Sequence, residues 1–255
     1  MVTAISTMNK LEPTRFAATG AADGSVCVFN VETGTVVMSV KDLRRSVSCV
    51  EVFESKEANR RRLITADREG RIVIYDLDAK RIVAEKETDC GNVRGVFYFP
   101  GGDKFVMVCE SGSVIVFDEV FNQLNFMHVG QSVMYAKPID TTHIMMATEG
   151  KELVTYDLMQ CNQEPVKVLK LQCKDPIRCF DVTTDGKYAI VVSNEIEFWK
   201  LSSQHCEANL SPILPVRCMC LTSDFISFFM SQDTHIEKWV IDWKIVYEGK
   251  KYCSP

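Results

Sequence analysis

A chain of 255 residues with 46% hydrophobic and 25% charged side chains holds ample material for a folded core, which excludes a disordered polypeptide. A net charge of −5 argues against a protein that coats nucleic acid, although a local basic patch can survive such a balance. Met1–Lys10 lacks a charged segment followed by an apolar core, and no apolar run is long enough to span a membrane, so no membrane is expected and the expected location is cytoplasmic or nuclear.

The first unit reads as an inner strand over Thr3–Met8, a second strand over Arg15–Thr19, a marker strand within Gly24–Val31 and an outer strand over Thr35–Val40. Ala22-Asp23-Gly24 and Glu32-Thr33-Gly34 are its turns, with glycine supplying the positive φ of tight hairpins. The second unit repeats this with Val47–Phe53, Arg62–Thr65, Arg71–Leu77 and Arg81–Glu85, and places Arg60-Arg61-Arg62 in a solvated loop. The third has Val93–Phe99, Lys104–Cys109, a marker strand at Gly112–Glu119 and Gln123–His128. The fourth has Ser132–Lys137, His143–Thr148, a marker strand introduced by Gly150, and Val166–Leu171, with a long outer loop over Met159–Pro165. Ile177–Val182, Lys187–Val192 and Ile196–Leu201 make up the fifth; Val216–Leu221, Phe225–Met230, Ile236–Ile241 and Lys244–Tyr247 make up the sixth.

Each marker strand ends on an aromatic: Phe29, Tyr75, Phe117, Tyr156, Trp199 and Trp239, at steps of 46, 42, 39, 43 and 40 residues. A period near forty with four strands inside it predicts an all-β chain folded as a β-propeller of six four-stranded blades. The whole of residues 1–255 is one domain, its units covering 2–41, 47–87, 92–129, 131–173, 176–210 and 215–248. Recurrence at the period of the fold assigns the six aromatics to packing between blades. Trp243, Tyr247 and Tyr252 escape that period.

The eleven cysteines are odd in number and irregular in spacing, so reduced thiols are expected. Cys27, Cys49, Cys109, Cys179, Cys218 and Cys220 lie in strand-like apolar runs, where a thiol packs as a small hydrophobe. Cys218 and Cys220, separated by Met219, are expected to point their sulfurs apart and so to make a poor chelate.

The run Ala17–Asn30, with Asp23-Gly24 in its turn and Phe29-Asn30 at its end, resembles the central signature of the WD40-repeat family. Tyr75-Asp76, Phe117-Asp118 and Tyr156-Asp157 keep the acid of that family's Trp-Asp pair without the tryptophan, whereas Trp199 and Trp239 keep the tryptophan without the acid. The resemblance runs from about residue 3 to residue 247 and departs from the family in lacking its Gly-His pairs. None of His128, His143, His205 and His235 stands where the family's buried Asp-His-Ser/Thr-Trp network needs it, which implies blades held by apolar packing. The family has seven blades as a rule, and its ring is closed by a strand from one terminus. Six units and no spare strand leave two readings, a shortened propeller or an incomplete, open ring completed by a partner.

No nucleophile elbow, phosphate loop, His-x-x-x-His, Cys-x-x-Cys or dinucleotide glycine pattern occurs, so no catalytic residue, metal ligand or cofactor is assigned. The sharper candidates are arginines. The residue after the first apolar anchor of the inner strand is Ser48, Arg94, Met134, Arg178 and Arg217 in units two to six. In propellers of the resembled family this position faces the top mouth of the channel, where guanidiniums would favour a carboxylate or phosphate. Arg44, Arg45 and Arg68 extend the basic surface, while Asp23, Asp67, Glu69, Glu110, Glu149 and Asp233, in turns on the same face, can neutralise it. The reading that follows is a non-enzymatic scaffold for other proteins, binding an acidic or phosphorylated segment on the top face. The alternatives are a constitutive subunit whose open edge accepts a strand from a partner, and a propeller enzyme.

Overall fold

A computed structural model describes residues 2–6, 15–55, 60–100, 103–159, 164–171, 173–183, 185–212, 215–222, 227–232 and 235–241. These form an all-β propeller fold of six blades with no helix among them. The chain divides into two compact units of three blades each.

In the first unit, blade one is β1 (Val2–Ser6), β2 (Phe16–Ala21), β3 (Val26–Asn30) and β4 (Val36–Val40). Blade two is β5 (Val47–Ser55), β6 (Arg60–Asp67), β7 (Arg71–Asp76) and β8 (Arg81–Glu87), and blade three is β9 (Val93–Phe99), β10 (Lys104–Cys109), β11 (Ser113–Phe117) and β12 (Gln123–His128). In the second unit, blade four is β13 (Val133–Pro138), β14 (His143–Thr148), β15 (Glu152–Asp157) and β16 (Lys167–Lys170). Blade five is β17 (Cys179–Val182), β18 (Tyr188–Val192), β19 (Ile196–Lys200) and β20 (His205–Leu210), and blade six is β21 (Val216–Leu221), β22 (Ser227–Gln232) and β23 (His235–Val240). Every sheet is an antiparallel meander in chain order. The expected strand Lys244–Tyr247, with Trp243 and Tyr252, lies outside the described residues.

The third strands of blades two and three read as unbroken apolar runs because both of their faces are covered, whereas β23 of blade six leaves Ile236 and Val240 exposed. On β7, Val73 and Tyr75 enter a core shared with blade one, alongside Phe16, Ala18, Val28 and Leu63. Ile72 and Ile74 enter a different core shared with blade three, alongside Phe53, Tyr98, Phe105 and Phe117. The second unit repeats the arrangement: Trp199 packs with Leu153 and Leu169 of blade four, while Phe198 packs with Phe228 and Met230 of blade six. The marker aromatics Tyr75, Phe117, Trp199 and Trp239 thus lie between blades, where burial of such a side chain stabilises by roughly 2–3 kcal/mol.

Apolar packing does not hold the blades alone, contrary to the expectation drawn from the missing histidine network. On β5 the Cys49 thiol accepts the Val96 N–H of the next inner strand, and two residues on Glu51 Oε2 accepts the Tyr98 N–H at 3.3 Å. Blades five and six repeat the device, with Cys179 accepting the Met219 N–H and Asp181 Oδ2 accepting the Leu221 N–H at 2.9 Å. Asp181 is buried and also pairs with Lys137 Nζ of blade four at 2.8 Å. A Cys-x-acid triplet on an inner strand therefore staples it to the inner strand of the following blade.

Two further differences from the sequence reading have local causes. Arg60-Arg61-Arg62 opens β6 instead of forming a loop, because each guanidinium finds its own carboxylate: Arg60 with Asp76 at 3.4 Å, Arg61 with Asp78, and Arg62 with Glu119 at 2.6 Å. The outer strand β20, His-Cys-Glu-Ala-Asn-Leu, has too little apolar alternation to announce itself, and its register against β19 shifts between Phe198 and Trp199.

The turn between second and third strands is a tight one in which residue i+3 donates to residue i: Gly24 to Ala21, Gly70 to Asp67, Gly112 to Cys109. All three glycines have positive φ, between 84° and 93°. In blade four the same place is taken by Lys151, at φ 62°, and not by the expected Gly150. A Cβ on Gly24 would lie 2.1 Å from the Leu43 carbonyl oxygen, whereas Gly34, also at positive φ, has nothing within 4 Å. Gly24→Ala is therefore expected to lower stability by more than about 2 kcal/mol in urea unfolding, and Gly34→Ala by about 1 kcal/mol. Equal losses would show that contact with the Leu43 segment is immaterial.

Candidate interaction surface

The turns between second and third strands and the connections between blades share one edge of each blade, called here the upper edge. In the first unit the turn at Asp67–Gly70 is built by Asp67 Oδ1, which accepts the N–H groups of Glu69 (3.0 Å) and Arg71 (3.1 Å). The Arg68 N–H donates to the Ser46 carbonyl at 3.2 Å, docking the turn on the connection that carries Arg44 and Arg45. Buried Leu43 anchors that connection from below. Arg45 Nε meets Glu69 Oε1 at 2.8 Å, and both side chains are largely exposed.

Arg94, on β9, turns back over its own blade. Its Nη2 donates to Glu110 Oε1 at 2.6 Å, while Asn92 Nδ2 donates to Glu110 Oε2 at 2.7 Å. The Asn92 amide, followed by Arg94, holds the Glu110 carboxyl below the ordinary glutamate range; Arg68 adds to this at longer range and partial burial opposes it. Arg178 in the second unit behaves like Arg94, with Nη2 donating to Asn194 Oδ1 at 2.7 Å, again sixteen residues on. Arg217 stands exposed on β21. Of the four candidate arginines on the upper edge of the first unit (Arg44, Arg45, Arg68 and Arg94), Arg45 and Arg94 are committed to carboxylates. Arg44 and Arg68 are exposed and have no carboxylate within ion-pair distance among the described residues.

The Asn or Asp that follows the marker aromatic works locally. Asn30 Oδ1, Asp76 Oδ1 and Asp118 Oδ1 each accept two N–H groups of the following turn at 2.8–3.2 Å. Where tryptophan replaces the aromatic-acid pair, the acid moves two residues back: Trp199 Nε1 donates to Glu197 Oε2 at 2.7 Å, and Trp239 Nε1 to Glu237 Oε2 at 2.8 Å. The Glu-x-Trp spacing on one strand face could have signalled this in the sequence.

Thiols on the inner strands are poorly suited to nucleophilic chemistry. Burial pushes Cys49 and Cys179 up to about 12. Cys218 and Cys220, expected to point apart and to pack as small hydrophobes, are instead both exposed on the same face of β21, as residues two apart on a strand must be, with Met219 buried between them; Cys218 Sγ lies 3.1 Å from Ser231 Oγ. Among the described residues no three His, Cys, Asp or Glu side chains are grouped to hold a metal ion.

The depressed Glu110 carboxyl contributes stability that is present at neutral pH and lost as pH falls through its lowered value. Arg94→Met is expected to move the Glu110 titration, followed by carboxyl carbon NMR, upward toward the ordinary range. An unmoved titration would show that Arg94 is not part of this network.

No protein-family model matches the chain, and no curated protein matches its sequence.

Proposed function

We propose that this chain is a non-catalytic, WD40-like interaction scaffold that binds an acidic or phosphorylated segment of another protein along its upper edge. The observation that carries the reading is the pair Arg44 and Arg68, exposed guanidiniums on two elements linked by the Arg68–Ser46 hydrogen bond, with no carboxylate in ion-pair range among the described residues. Their neighbours Arg45 and Arg94 are held in fixed orientation by Glu69 and Glu110. A guanidinium left unpaired beside such a frame favours bidentate capture of a carboxylate or phosphate. Arg178 and Arg217 belong to the corresponding edge in the second unit and are assigned the same role there.

Blade-to-blade packing and the Cys-x-acid staples support the scaffold part of the reading, since turns carried on packed sheets keep their shape when a partner arrives.

The test is affinity purification from cells of the intact chain and of the Arg44→Glu/Arg68→Glu variant, with quantification of the co-purifying chains and a phosphatase-treated arm. Both side chains are exposed, so the variant should keep its far-UV spectrum and thermal midpoint. The proposal expects at least one chain to fall by about tenfold or more, the size expected for loss of two charge-assisted contacts. An unchanged set of bound chains contradicts it, and the phosphatase arm separates a phosphate from a carboxylate.

A further inference from the structure

In the second unit a cleft of about 280 Å³ opens on the outer part of blade five, beside the connection from blade four that carries Lys174. Lys174, Glu195, Glu197, Trp199, His205 and Asn209 line it. Glu195 and Glu197 stand two residues apart on one side of the blade, and their surroundings differ. Glu195, at the rim, is already served: Asn209 Nδ2 donates to Oε2 at 3.0 Å and Lys174 Nζ approaches Oε1 at 3.5 Å. Glu197 is only 6% exposed, and its two donors among the described residues are neutral and go to the same oxygen, Cys173 Sγ at 3.1 Å and Trp199 Nε1 at 2.7 Å.

Glu197 lines the cleft, and among the described residues neither a donor to its Oε1 nor a cation within ion-pair distance of this carboxylate is found. The ammonium groups nearby are engaged elsewhere. Lys151 Nζ donates to the carbonyls of Cys173 and Lys174, and Lys174 Nζ belongs to Glu195 with its side chain 80% exposed. A carboxylate taken out of water with only neutral donors is a costly arrangement that a cation relieves.

We propose that this cleft is a receptor for a single basic side chain, an arginine or lysine of a bound protein, whose cationic head meets Glu197 Oε1 and whose stem lies along Trp199. The charge sign is opposite to that of the upper edge of the first unit, so the two sites select different segments. That the cation arrives on a protein rests on the scaffold reading; the capacity of the cleft to take a cation does not.

The indole N–H of Trp199 donates to the carboxylate in question, which makes it a reporter inside the site. The chain has three tryptophans, so their indole resonances can be assigned by Trp→Phe substitution and followed in the ¹⁵N-labelled full-length protein. Methylguanidinium and methylammonium would be titrated at constant ionic strength, with urea as the neutral counterpart of guanidinium. The expected result is a saturable shift of the Trp199 resonance alone, with urea silent. Glu197→Gln should weaken the cation at least about tenfold, and Lys174→Ala should tighten it about threefold by removing the competing ammonium. Glu237→Gln, in the twin Glu-Trp pair of blade six, should leave binding unchanged.

A shift shared by all three indoles, a linear shift, or one matched by urea overturns the proposal. Should Glu197→Gln fail to fold, Lys174→Ala decides, since its side chain is mostly in solvent: unchanged or weaker cation binding there also overturns it. Failure in this titration leaves the Arg44/Arg68 result standing, and loss of that result leaves the titration standing.

Discussion

A backbone N–H on the inner strand of one blade points toward the neighbouring blade, and the fold depends on giving it an acceptor. Glu51 and Asp181 do this for Tyr98 and Leu221, reaching from one inner strand to the next. A buried amide left without a partner costs about 1–3 kcal/mol, comparable with the gain from a whole buried side chain. The acid serves a second purpose at Asp181, where Lys137 of the preceding blade joins the same carboxylate and three consecutive blades become connected through one side chain. Cys49 and Cys179 add the weaker contact two residues earlier. Apolar cores on both faces of each blade then supply most of the stabilisation, while the staples decide which residue faces which.

With inner strands aligned in this way, the turns of the upper edge are carried to defined places. Gly24, Gly70 and Gly112 let the turn lie against the connection that follows, and at all three the approach is to a carbonyl oxygen with no room for a Cβ. Lys151 resolves the same geometry differently. It accepts left-handed strain of about 1 kcal/mol and folds its ammonium onto the carbonyls of Cys173 and Lys174, so a side chain binds the connection that glycine elsewhere touches directly. The exposed arginines of the first unit ride on two such docked elements, and the cleft of the second unit lies beside the connection that Lys151 holds.

What could be read from the sequence was whatever repeats with the period of the fold. The strands carrying Phe29, Tyr75, Phe117 and Tyr156 were legible because their buried positions make largely apolar runs closed by an Asn or Asp. The polar network was not, because its signals are single residues in an apolar setting. Glu51 and Asp181 look like surface positions of an alternating strand until the neighbouring blade covers them. Arg60–Arg62 looked like a loop because three adjacent charges suit a strand only when each has a carboxylate waiting on another segment, which only the tertiary structure supplies. Glu197 was hidden for the same reason: its isolation from cations is a property of the packed neighbours and not of the strand.

Native-state hydrogen exchange at the Tyr98 and Leu221 amides tests the staple most directly, since each amide donates across blades to a side chain. The account predicts protection at both close to that of the ladder amides of β10 and β18, with protection of the Leu221 amide lost in Asp181→Ala while the β18 amides remain slow. Exchange of both amides at the rate of exposed turns in the unaltered protein would contradict it.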